Sequence, residues 1–206
     1  AARDAGLIDK SNLEAALSTL GVGDIGIRVE GVRRQAITGN HIEFHGWPED
    51  EESDHRHLST ILEMLEDSGL EESVASLAAE MFELLGESES KIHGIPLERV
   101  HFHECGALDS IFDFVSAAFI LVHGADSWSF GAVPIGEGTV ATDHGTMPVP
   151  APATADLLEG LTVEPTGIPA ELVTPTGATI LKIIDRHVRE QPAPGGEVTR
   201  TGYGAG

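Results

Sequence analysis

Apolar residues recur along the chain with two different periods, and the change from one to the other marks out the elements. Leu13, Leu17 and Leu20 form a stripe at helical spacing in "SNLEAALSTLG", with Ser11 or Asn12 placed to cap the helix and Gly21 to end it. The period then drops to two. Ile25, Ile27 and Val29 alternate, as do Ile42 and Phe44, which predicts two strands paired as an antiparallel hairpin through the connection "RRQAITGN". "PEDEESDHRH" has no apolar period and reads as an acidic loop. Helical spacing returns with Ile61, Leu62 and Leu65, and again with Val74, Leu77, Ala78, Met81 and Leu85, a pattern that Gly86 interrupts. These and the later apolar runs place helices near 57–68, 71–93, 106–123, 151–160 and 176–189. "VHFHE" reads as extended, and the Gly-, Pro- and Thr-rich stretch between Ser127 and Pro150 reads as short strands joined by turns. Strands and helices interleave without a regular βαβ rhythm. The expected class is therefore α+β with a largely antiparallel sheet and not a Rossmann fold. It would be organised as one domain over 1–206 or as two lobes of about 1–95 and 96–206.

Composition narrows the partners. With 41% hydrophobic residues the chain is globular, and no apolar run approaches the ~18 residues of a membrane span. The formal charge is −22, with 34 acids and only three lysines, Lys10, Lys91 and Lys182. A surface of this kind excludes nucleic acid and anionic membranes as partners, because both need basic residues to neutralise phosphate. It also fits a salt-adapted protein, in which abundant carboxylates keep the chain soluble at high ionic strength. Molar salt is then expected to raise the melting temperature; equal melting with and without salt would show an ordinary acidic surface. The one cysteine, Cys105, permits no internal disulfide, which fits a reducing cytoplasm.

Three stretches carry chemistry. In "HFHECGALDSIFD", an extended backbone puts His101 and His103 on one face beside Glu104, and a following helix puts Asp109 and Asp113 on one face, since they are four apart. Imidazole and carboxylate in that arrangement could hold a metal; alternatively, Asp109 or Ser110 caps the helix and the histidines lie at the surface. In "PIGEGTVATDHGTMPVPAPAT", His144 stands in a turn-forming segment as a ligand, an acid/base or a plain turn residue. In "ELVTPTGATI", Thr174, Thr176 and Gly177 open a helix, either as an anion site or as a simple cap by Thr174 with Pro175 in the first turn. His55 and His57 fall in the acidic loop, where a solvated role is expected.

Taken together and in order, "HFHECGALDSIFDFVSAA", "PIGEGTVATDHGTMPVPAPATADLLEG" and "ELVTPTGATILK" resemble the LarC family, the nickel-insertion proteins of lactate racemase cofactor synthesis. "DHRHLSTILEMLEDSGL" and the terminal "TGYGAG" extend the likeness over nearly the whole chain. The resemblance implies a nickel chelatase, or cyclometallase, of the lyase class. It would insert nickel into pyridinium-3,5-bisthiocarboxylic acid mononucleotide, making two nickel–sulfur bonds and one nickel–carbon bond. It also implies use of CTP with Mg or Mn, associated with a C-terminal domain expected to be absent here, and a possible homo-oligomer. On that reading His101, His103, Glu104, Asp109, Asp113 and His144 are the metal candidates. His103, Glu104 or His144 would accept the proton lost from the ring carbon, and Thr174, Thr176 and Gly177 would hold the substrate phosphate. Cys105, which stands where family members carry an aliphatic residue, is expected to be buried. Two further readings use the same residues: a metal-dependent phosphoester hydrolase, and a non-catalytic nickel-binding module.

Overall fold

The computed structural model describes residues 1–46, 56–102, 108–142, 145–188 and 197–205. Helix α1 (Lys10–Ser18) is capped by Asp9, whose carboxylate accepts the Ser11 amide at 2.9 Å, and it buries Leu13 and Leu17 as its stripe requires. Strands β1 (Gly26–Arg34) and β2 (Ile37–His45) form the expected hairpin, with Ile27 opposite Phe44 and Val29 opposite Ile42. Glu14 joins α1 to this hairpin. Its carboxylate accepts the Ile27 amide at 2.8 Å and pairs with Lys10 at 3.0 Å, and these two contacts hold its pKa below the ordinary carboxylate value.

The hairpin is longer than its apolar alternation. Most of "RRQAITGN" lies within the ladder, and the turn is only Gln35–Ala36, with Gln35 at φ 52°. The distal half pairs Arg33 with Thr38 and Arg34 with Ile37. Backbone hydrogen bonding carries it past the last core-facing residue, where no burial pattern marks it.

Helices α2 (Leu58–Glu66), α3 (Glu72–His93) and α4 (Leu108–His123) follow close to their expected bounds. Gly86 in α3 has a packing reason: an added Cβ would stand 3.0 Å from Leu58 and 3.2 Å from Leu97, so its absence lets α2 and the following turn lie close. Helix α4 is the axis of the core. Phe112 meets Phe44 of the hairpin at 5.5 Å between ring centroids, and on α4's other side Phe114 meets Phe82 of α3 edge to face at 4.6 Å. The buried cluster runs from Leu13 to Ile183 without a break between the earlier and later halves of the chain.

Beyond α4 come β3 (Val133–Ile135), β4 (Thr139–Thr142), β5 (Gly145–Pro148), α5 (Pro152–Leu157), β6 (Val163–Pro165) and α6 (Pro175–Val188). β4 and β5 pair antiparallel, but β3 and β6 pair in parallel, because the chain returns through α5 before laying down β6. The α+β class holds, with three two-stranded pairings among the described residues instead of one continuous sheet. Lys91 ties α3 to Asp156 of α5, and Lys182 of α6 bonds the Glu159 carbonyl.

A clasp joins the early and late residues across the hairpin edge. Asp4 accepts hydrogen bonds from the Asn40 side chain at 2.9 Å and the Tyr203 amide at 3.1 Å. Asn40 exchanges backbone bonds with Tyr203 at 3.0 Å and Ala205 at 2.9 Å. No helix among the described residues is long and apolar enough to cross a membrane.

Candidate functional site

The site is built from α4 and the start of α6. The face of α4 turned away from the core carries Asp109 and Asp113, while Ile111, Phe112, Phe114 and Val115 fill the interior. Asp109 accepts the Ser110 amide at 2.7 Å and is exposed. Solvent also reaches Asp113, yet enough protein crowds its carboxyl to strip hydration from it, and the Asp109 carboxylate one turn away adds repulsion. Its pKa is pushed up to about 6, desolvation being the larger cause.

Asp113 lines two cavities. One, of 540 Å³ and open to solvent, is also lined by Glu171, Thr174, Pro175, Thr176, Gly177 and Ile180. Two segments some sixty residues apart in sequence thus converge, and two expected groups, the α4 carboxylate and the α6 helix start, share one space. The other cavity, of 270 Å³, lies toward the hairpin and is mostly apolar, with Ile27, Val29, Ile42 and Phe44 on one wall and Ser116 on the other. The Ser116 hydroxyl is buried with no hydrogen-bond partner among the described residues.

The start of α6 is capped from within. Thr174 Oγ1 accepts the Gly177 amide at 3.2 Å, the Thr174 carbonyl accepts the Ala178 amide at 2.9 Å, and Pro175 in the first turn has no amide to offer. The capping role of Thr174 is therefore seen directly, and a phosphate would have to share that amide. Glu171, which sequence reasoning passed over, brings a second carboxylate to the same wall. It lies three residues before the cap, within "ELVTPTGATI". Two carboxylates among hydroxyls favour a cation as the first occupant, because a bare anion would be repelled.

Backbone packing sets the rim of this cavity. An added Cβ on Gly136 would stand 1.8 Å from the Ala170 carbonyl oxygen, and the Glu137 amide donates to the Ile168 carbonyl at 2.9 Å. Gly136→Ala must push the 168–170 segment outward and carry Glu171 with it. A loss of about 1–3 kcal/mol is expected by urea denaturation, as for overpacking elsewhere; unchanged stability would mean the segment yields freely.

Of the other candidates, His101 forms an antiparallel bridge with His57, and their rings stand 3.9 Å apart between centroids at 61°. Neither ring lines the cavity at Asp113. His57 is thus bridged to the extended segment and remains exposed. His55, His103, Glu104, Cys105 and His144 lie outside the described residues. Among the described residues no three His, Cys, Asp or Glu side chains gather as a group that could hold a metal ion, so His101, Asp109 and Asp113 do not by themselves make a closed site.

The fold is thus an α+β scaffold that sets carboxylates against a capped helix start, and the comparisons give it a family. A family model described as "Nickel insertion protein" matches residues 1–206. The chain is 36% identical over 200 residues to a "Putative nickel insertion protein" of Dictyoglomus thermophilum, covering 97% of this chain and 50% of that one. It is 44% identical over 153 residues to a "Pyridinium-3,5-bisthiocarboxylic acid mononucleotide nickel insertion protein" of Geobacillus kaustophilus, covering 74% and 37%. A protein of the same description from Staphylococcus epidermidis is 40% identical over 157 residues, covering 76% and 39%. No solved structure matches. The chain belongs to the nickel insertion protein family, and it spans about half the length, or less, of these curated relatives.

Proposed function

We propose that this chain presents nickel to pyridinium-3,5-bisthiocarboxylic acid mononucleotide and takes part in forming the nickel-pincer nucleotide, the lactate racemase cofactor. The observation that carries the reading is the convergence of Asp113 and Glu171 with Thr174–Gly177 on one cavity, in a chain that belongs throughout to the nickel insertion family. Nickel is here a substrate. Carboxylate oxygens hold it without the grip of thiolate, so the soft sulfurs of the nucleotide draw it away. Asp109, a turn from Asp113, adds charge that attracts the ion. As the nickel–carbon bond forms, the ring carbon gives up its proton to a base, a role assigned to His103, Glu104 or His144. The phosphate lies at Thr174, Thr176 and Gly177 once the cation has offset the two carboxylates, for a helix start favours an anion.

On this reading CTP with Mg or Mn is used in the insertion, and the protein is a homo-oligomer. The lyase class follows from the bonds made. A cytoplasmic setting follows from the lone cysteine and from thiocarboxylate chemistry, which an oxidising compartment would spoil.

Mass spectrometry of the nucleotide after incubation with the protein, nickel, CTP and Mg tests the reading. The expected product is the nucleotide carrying nickel in place of its lost protons. Release of inorganic phosphate without nickel uptake would indicate the hydrolase. Nickel retained on the protein with the nucleotide unchanged would indicate a binding module.

A further inference from the structure

We infer that His57 and His101 together seat one nickel ion ahead of its delivery to the cavity at Asp113. The inference rests on the nickel-handling reading above but concerns a different pair of residues. Directly opposed residues in an antiparallel bridge project to the same side of the backbone, and His57 and His101 are opposed in this way. The Phe102 amide donates to the Arg56 carbonyl at 3.4 Å and holds the two segments together. Behind them the anchors are firm: Leu58 opens α2 in the core, and Phe102 is buried against Phe82 at 5.9 Å between centroids.

The rings are closer than packing alone favours. Their centroids are 3.9 Å apart, inside the ~4.5–7 Å at which aromatic pairs usually settle. Imidazole nitrogens bind a late first-row ion at about 2 Å, so two of them on one ion stand about 3 Å apart. At 61° between planes, an edge of one ring already faces the other, and an ion shared by both imidazoles requires their side chains to turn until one nitrogen of each stands at that separation. His57 is exposed and His101 half-buried, so an ion arrives from solvent and keeps open positions for water. Imidazole suits nickel, and two nitrogens with exchangeable waters bind it without trapping it. The sequence distance between the partners, with one before α2 and the other after α3, makes the seat dependent on the fold.

Calorimetric titration of the protein with nickel sulfate tests this, using His57→Asn, His101→Asn and the double variant. When one imidazole has bound, the second binds intramolecularly, so losing either is expected to weaken one nickel site by about tenfold or more. The double variant should then be little weaker than either single variant, since the ion they share is already released. Unchanged affinity in His57→Asn would overturn the inference and leave the ring contact as packing. Losses that multiply in the double variant would also overturn it, by showing two independent sites. As a check that needs no variant, nickel should protect His57 and His101 together from diethylpyrocarbonate; protection of one alone counts against a shared ion. None of these measurements involves the nucleotide, so failure here leaves nickel insertion standing, and failure of insertion leaves the seat standing.

Discussion

Asp113→Asn is expected to make the protein more stable at pH 7.5 and, at the same time, to lower nickel transfer by about 10–100-fold, the range seen when groups supporting a metal are removed. The sign follows from the raised pKa. The fold favours the protonated carboxyl, so the stability Asp113 contributes is fully present below its unfolded value of 3.8 and is lost as pH rises through about 6. Above pH 6 the wild type carries a carboxylate that has lost hydration and lies near Asp109; the amide carries neither burden. Urea midpoints at pH 4 and pH 7.5 check this: the variant should gain on the wild type between the two. A variant less stable at pH 7.5 would show that Asp113 is held by a favourable contact. A variant more stable but fully active would remove Asp113 from nickel handling. Stability lost in exchange for a charge on a cavity wall is what a working site costs.

The largest effect on stability is expected at Phe82. Its side chain is fully buried and touches Phe114 at 4.6 Å and Phe102 at 5.9 Å between centroids, so it binds α3 both to α4 and to the segment that carries His101. Phe82→Ala removes apolar contact and leaves a cavity that neighbouring rings cannot fill. A loss of about 3–5 kcal/mol is expected, and with it a melting point lower by about 10 °C for a chain of this size. Phe82→Leu should recover much of this. A loss below about 1 kcal/mol in Phe82→Ala would mean that α3 and α4 close up over the gap.

Much of the fold was legible because burial imposes a period. Leu13 and Leu17 in α1, Ile61 and Leu65 in α2, and Val74, Ala78, Met81 and Leu85 in α3 are buried as their spacing requires. Where burial stops deciding, the sequence falls silent. The distal hairpin has no apolar face, and its Gln35–Ala36 turn lacks the Asn-Gly or Asp-Gly signature of such turns, so the whole of "RRQAITGN" reads as connection although all but Gln35 and Ala36 is strand. The parallel pairing of β3 with β6 was equally hidden, since three-residue strands carry too little pattern to show their partners. At the site, the spacing of Asp109 and Asp113 and the Thr-Pro-Thr-Gly helix start could be read locally. That Asp113 faces that helix start, or that His57 meets His101, depends on tertiary packing that no local period encodes.

The clasp at the hairpin edge has a mechanical meaning. Asp4, Asn40 and Tyr203 close nearly the whole chain into a loop held by a few hydrogen bonds at the hairpin edge. Tension applied between residues 4 and 203 therefore loads these bonds before it reaches any core helix. The clasp should part at low force, releasing a short length of chain, and the packed body would take up the strain only afterwards, in a second and larger step.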